Sequence, residues 1–297
     1  MKTVWILTKR NVRIFFKDFG MLFTSMITPL ILLVLYATFL AGVYRDAFLA
    51  QLGGAPVEDA LVEGLVGGQL LSSLLAVSCV TVSFCANLLM VQDRVSGARK
   101  DLLIAPVRRS VLAISYYLAT LIVSFLISLF ALGACMLYLS AIGWYLSFTD
   151  VLLLILDTFL LVMFGTALSS IVNYFLTTQG QMSAVGSIVS SCYGFLCGAY
   201  MPISSFGEGL QNAISFLPGT YGTSLFRNHA LRGVLASMEK AGVPTAALEA
   251  IRDSVDCNIY FFGTGVALGT MYLILSGSIL LAVCAFILMN RFDKRKF

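Results

Sequence analysis

Six apolar runs, each long enough to cross a bilayer, constrain this chain more than any motif does. A membrane-spanning helix needs about 20 mostly apolar residues. Runs of that kind occupy 21–44, 65–90, 111–140, 151–172, 182–200 and 263–289. Backbone polar groups in hydrocarbon must be satisfied within the segment, so such runs become helices. The third run is long enough to tilt or to extend beyond the bilayer. Composition agrees: 59% of the 297 residues are apolar and 11% charged, against about 25% charged in a soluble domain. The expected fold class is an all-α integral membrane protein with six transmembrane helices, a single domain over 1–297. About twenty residues precede the first run, which is longer than the roughly 7–15 residues of a signal-peptide core, so it is expected to stay as a span.

A net charge of +4 gives no reason to expect a nucleic-acid partner. The placement of the bases says more. Lys2, Lys9, Arg10, Arg13 and Lys17 precede the first run, Arg94, Arg99, Lys100, Arg108 and Arg109 follow the second, and Arg291, Lys294, Arg295 and Lys296 follow the sixth. These are 14 of the 19 basic residues, and the positive-inside rule puts all three segments in the cytoplasm. The connection 173–181 carries no charge and joins that side by parity. At about 100° per residue, Trp5, Val12, Phe16 and Phe19 share one arc and Arg10, Arg13 and Lys17 another, with Ile6 and Ile14 breaking the pattern. This predicts an amphipathic helix lying in the membrane interface, with lipid as a partner.

The segment 201–262 is expected outside. Pro202, Gly207, Gly209, Pro218, Gly219 and Gly222 punctuate it, with Leu210, Ile214, Phe216 and Leu217, then Leu225, Phe226 and Leu231, between them. Two short half-apolar helices fit, re-entrant from the outer face, followed by an amphipathic helix over 244–255 with Leu248, Ile251 and Val255 at helical spacing.

Several chemistries are missing. No lysine follows a glycine, so the usual nucleotide-binding loop is absent, and a single histidine, His229, excludes HExxH zinc chemistry. The seven cysteines form no CxxC pair and read as packing residues without a disulfide framework. No metal, cofactor or enzymatic activity is expected in this chain. His229 reads as a polar residue of the external loop. Asp157 is the one acid well inside a run; such a carboxylate is costly, and faces either a transport pathway or a packing partner. Thr158 and Thr166 are its nearest candidate hydroxyls.

The connection after the second run, VQDRVSGARKDLLIAPVRR, holds Asp93, Arg94, Arg99, Lys100, Asp101, Arg108 and Arg109 around the pair Leu102–Leu103, and Pro106 stops the helix it predicts. Orientation alone needs only Lys and Arg. Both charge signs beside an apolar edge suit a protein partner.

This stretch resembles the cytoplasmic signature of ABC-2 type permeases. Asp93 and Arg94 match its start, and Gly97, Leu102, Leu103, Pro106 and Arg109 its later positions; Val95 stands where the family usually has a second acid and Ala98 where it often has Thr. GAYMPISSFGEGLQNAISFLPGTYGTSLFRNHALRG is similar to the family's region after the fifth span, with Gly198, Pro202, Pro218, Tyr221 and Arg232 at recurrent positions, and the stretch 235–258 is longer than in the simplest members. The resemblance implies a permease working as two permeases, expected to be a homodimer, with two separate ATPase subunits that carry the ATP and Mg. It implies that 92–109 is a coupling helix seated in an ATPase groove, through Asp93, Arg94, Gly97, Arg99, Leu102, Leu103, Pro106 and Arg109. The interfacial helix (Trp5, Arg10, Arg13, Phe16, Lys17) lies near that interface, and the elements carrying Pro202, Pro218, Tyr221 and Arg232 close the outer side. The cargo it implies is an amphipathic or lipid-like compound such as a drug, antibiotic, peptide or pigment, exported by alternating access from a bacterial cytoplasm. The alternatives are export of a lipid-linked polysaccharide or teichoic acid, and an ion-coupled secondary transporter, which would need more intramembrane charge than Asp157.

Overall fold

A computed structural model describes residues 2–53, 57–104 and 107–292, with the side chains of Ala37 and Leu103 left out. Pro106, the Leu103 side chain and the terminal bases Lys294, Arg295 and Lys296 lie outside the described residues. The protein is an all-α membrane protein, and a small hairpin (β1, Tyr260–Phe261; β2, Thr264–Gly265) joins two helices.

The chain opens with α1 (Lys2–Lys17), which packs along α6 (Arg109–Ile142). Asp18 caps the next helix by accepting from the Met21 amide at 3.1 Å. That helix runs unbroken through α2 (Phe19–Leu35), one π-helical turn (Tyr36–Leu40) and α3 (Ala41–Gln51). At the centre stands α4 (Asp59–Val95), 37 residues and almost wholly buried. At 1.5 Å per residue it is about 55 Å long, well beyond a hydrocarbon core of about 30 Å. A short α5 (Ala98–Ile104) leads into α6. Then follow α7 (Phe148–Phe175), α8 (Gln179–Leu196), α9 (Glu208–Ile214), α10 (Pro218–Lys240), α11 (Thr245–Ser254) and α12 (Leu268–Arg291). Both α7 and α8 start on capping boxes, Ser147 with Asp150 and Thr178 with Gln181. α1 and α5 lie at one end of the bundle; α11 and the hairpin lie at the other.

Among the described residues, five helices are long and apolar enough to cross a membrane: Phe19–Gln51, Asp59–Val95, Arg109–Ile142, Phe148–Phe175 and Leu268–Arg291. The fifth apolar run of the sequence falls on α8, which has 18 residues and is diluted by Gln179, Gln181, four serines and three glycines. It ends at Leu196, where the amides of Ala199 and Tyr200 turn back to the Gly194 carbonyl at 2.9 and 3.0 Å.

The segment after α8 differs from the expected pair of short helices. α9 is short, but α10 runs for 23 residues against α4, α7 and α12. Its glycines are contact positions rather than breaks. A Cβ on Gly219 would lie 2.5 Å from the Tyr193 hydroxyl, and one on Gly222 would lie 2.6 Å from Leu161. At Gly233 the added carbon would sit 1.8 Å from the Tyr145 carbonyl oxygen. Helix propensity alone would favour alanine there by about 1 kcal/mol, but backbone cannot yield as a side chain can. Gly233→Ala is therefore expected to destabilise by about 1–3 kcal/mol, measured by thermal unfolding of the purified protein; an unchanged or higher Tm would refute the close approach.

Candidate functional site

The charged connection is built from the last turn of α4, a tight turn and α5. Gly97 makes the turn with φ of 86°, a left-handed conformation that side chains rarely adopt. A Cβ there would meet nothing, so the glycine serves the backbone path and not packing.

Asp93 and Arg94, expected to face a partner, are instead occupied by their own chain. The buried Asp93 carboxylate accepts from Arg10 Nη1 and from the Tyr116 hydroxyl, both at 2.6 Å. Arg10 also donates to Asn11 Oδ1 at 2.8 Å. Partial burial works against the Arg10 charge, but Asp93 outweighs it and holds the guanidinium pKa above its ordinary value. One acid thus joins α1, α4 and α6. Arg94 donates to the carbonyls of Tyr174, at 2.9 Å, and Leu176, capping the end of α7 where carbonyls lack helical partners. Arg99 is buried, Leu102 packs half-buried against the cluster shared by α1 and α6, and Arg109 begins α6 half-buried. What faces outward among the described residues is Val95, Ser96, Lys100, Asp101, Ile104 and Arg108, with Ile104 84% exposed.

The first helix presents two faces where the sequence suggested one apolar arc. Leu7, Thr8, Asn11 and Phe15 are buried toward the bundle, while Trp5, Phe16, Arg13 and Lys17 point away. Arg10 leaves the solvated set to reach Asp93.

A groove of about 790 Å³ opens between α2 and α8. Thr24, Thr28, Ser183, Ser187 and Ser191 give it hydroxyls, and Ile31 and Met182 give it apolar surface.

At the opposite end, α10 is fastened by two arginines and a histidine. Arg227 is fully buried; it donates to Asp256 Oδ2 at 2.9 Å and to the Gly198 carbonyl at 2.5 Å. Arg232 pairs with Asp150 at 2.5 Å. His229 Nδ1 lies 2.6 Å from Asp157 Oδ2, and the Tyr272 hydroxyl donates to Asp157 Oδ1 at 2.7 Å. This corrects two expectations. His229 is a buried helix residue and not part of a polar loop, and Thr158 and Thr166 do not serve Asp157: Thr158 bonds the Leu154 carbonyl and Thr166 the Ser83 hydroxyl. Asp157 is not among the residues lining the α2–α8 groove. Pro218 opens α10 in its first turn, the buried Tyr221 donates to the Ser215 carbonyl at 2.6 Å, and Pro202 precedes the turn at 203–205 whose amides are held by Asp256. Among the described residues no group of three or more His, Cys, Asp or Glu could hold a metal ion.

No curated protein matched the chain in a search of such proteins. The family profile described as ABC-2 type transporter matches residues 2–230, from α1 through the middle of α10 and including every residue of the α4–α6 connection. With a long buried α4, a short charged helix after it and a helical bundle of membrane-spanning length, this chain belongs to the ABC-2 type transporter family.

Proposed function

We propose that this permease is the membrane subunit of an ATP-driven exporter, with both termini and α5 in the cytoplasm and α11 outside. A separate ATPase subunit, holding ATP and Mg, docks on α5; two permeases and two ATPases make the working unit, the second permease being another copy of this chain. The cargo is an amphipathic or lipid-like compound leaving across the cytoplasmic membrane of a bacterium. The observation that carries this reading is the division of labour in the α4–α6 connection. Its inner charges, Asp93 and Arg94, are bound to α1, α6 and the end of α7. Its outer face offers Lys100, Asp101 and a nearly bare Ile104. A stiffly held helix with an uncovered apolar and charged face suits force transfer from a partner. The α2–α8 groove mixes hydroxyls with apolar walls, which suits a cargo with a polar head and an apolar body, and a second copy facing it would complete a path. α1 supports the cytoplasmic side with its outward Trp5 and Phe16 in the lipid interface and its outward Arg13 and Lys17 in water.

The test is retention of the ATPase. Ile104→Asp combined with Lys100→Glu is expected to reduce co-purification of the ATPase at least about tenfold, as loss of a central anchor does, without changing Tm, because neither side chain is buried. Full retention of the ATPase and of export by that variant would refute docking on α5.

A further inference from the structure

Asp157 is the point at which three helices meet. It is buried on α7, and both of its oxygens are engaged by other helices, Oδ2 by His229 of α10 and Oδ1 by Tyr272 of α12. The His229 and Tyr272 rings stack beside it, with centroids 6.3 Å apart. Nothing on α7 itself helps to satisfy the acid. A carboxylate at this depth is tolerated only when its hydrogen bonds are complete, so full satisfaction of Asp157 depends on α10 staying packed against α7 and α12.

The three fastenings of α10 are not equivalent. Arg227 binds Asp256, in the connection after α11, and the Gly198 carbonyl just past α8, so it ties α10 to neither α7 nor α12. Arg232 meets the buried Asp150 at the first turn of α7, but its own side chain is 47% exposed, so water can take up the guanidinium when the pair parts, and the pair reaches only one of the two helices. The Asp157 cluster is the buried polar link from α10 to two long helices of the bundle. From α4, which also packs on α10, the buried Cys79 lies within electrostatic reach of Asp157.

We propose that Asp157, His229 and Tyr272 are positioning residues of the outer gate: they latch α10 against α7 and α12 while the exit is closed, and α10 leaves its seat when the cluster is broken. This rests on the export reading above, in which the α11 end faces outward.

Cys257 is a built-in reporter of that seat. The side chains of Ser224 and Asn228 on α10 donate to its carbonyl at 2.9 and 2.7 Å. Cys257 is 2% exposed, in the cluster that includes Leu231 and Val234 of α10, and burial pushes its thiol pKa up to about 12. The full chain in lipid nanodiscs, without ATPase, is treated with a charged maleimide and labelling is read at Cys257 by peptide mass spectrometry. Wild type is expected to label slowly. Tyr272→Phe, which removes one hydroxyl, should label a few-fold faster, and Asp157→Asn and His229→Ala about tenfold faster or more, through more frequent local opening. The exchange Asp157→His with His229→Asp should bring the rate back toward wild type, a rescue that general loosening would not produce. Unchanged Cys257 labelling in monodisperse Tyr272→Phe and Asp157→Asn, or an exchange variant as reactive as the single variants, would overturn the latch. Because no ATPase is present, the latch can fail while α5 docking stands. Failure of α5 docking would likewise leave the labelling pattern unchanged.

Discussion

Arg227→Met is expected to lower the stability of the protein by about 3–5 kcal/mol, the cost of leaving one member of a buried ion pair behind. The side chains of Arg227 and Asp256 are 1% and 5% exposed. Asp256 would keep the amides of Ile203 and Ser204, at 2.6 and 3.1 Å, but these were arranged around an anion already balanced by a guanidinium. The Gly198 carbonyl, an acceptor for Arg227 Nη2, would be stranded as well. Geometry leaves little room for relief: Gly198 has φ of 75°, and a Cβ there would lie 2.8 Å from Ile203. Asp256 has φ of 52°, so its fair replacement is Asn, which accepts that conformation and can still accept from the amides. The double variant Arg227→Met with Asp256→Asn should lose less than the sum of the two by about 1–3 kcal/mol, the coupling typical of residues in one network. Thermal or denaturant unfolding of the four proteins measures it. Strict additivity would mean that the two side chains do not act as a pair.

The long helices could be read from sequence because the bilayer sets their length and forbids charge within them. The α4–α6 connection could be read because Gly97, the leucine pair and the mixed charges are contiguous. What escaped notice depends on contacts between distant parts of the chain. Thr220, Thr223, Ser224, Arg227, Asn228 and His229 make α10 look like an external loop; in the fold nearly all are buried, and their partners include Asp157, Asp256 and the Cys257 carbonyl. Gly219 and Gly222 read as punctuation because a close approach to Tyr193 or Leu161 leaves no local trace. Asp157 was conspicuous as a buried acid, yet its neighbours in sequence misled about its partners. The available clue was scarcity: the sole histidine and the sole acid deep in an apolar run are each expensive alone, and pairing relieves both. On α1, Thr8 and Asn11 hid the protein-facing stripe, since their polarity disguises burial against α6, where Thr8 reaches the Ser115 carbonyl at 3.5 Å.

Asp93→Ala should separate transmission from docking. The carboxylate does not face outward; it ties the end of α4, immediately before α5, to α1 through Arg10 and to α6 through Tyr116. Removing it leaves a guanidinium and a hydroxyl facing each other without the anion that held them. Because the Arg10 side chain is 30% exposed, water recovers part of the loss, and about 2–3 kcal/mol is expected rather than the full cost of a buried pair. The outward face of α5 is untouched, so the ATPase should still co-purify. If a push on α5 reaches the bundle through this joint, export per ATP hydrolysed should fall by about tenfold, since weakening a two-position element by 1.4 kcal/mol or more shifts its equilibrium by that factor. Asp93→Asn, which keeps one acceptor for Tyr116, should lie between wild type and Ala. The contrast with Ile104→Asp is the deciding measurement. Docking variants lose the ATPase and transport together; Asp93 variants keep the ATPase and lose the coupling. If Asp93→Ala instead releases the ATPase as completely as Ile104→Asp does, the acid belongs to the docking surface, and the joint formed by α1, α4 and α6 transmits nothing.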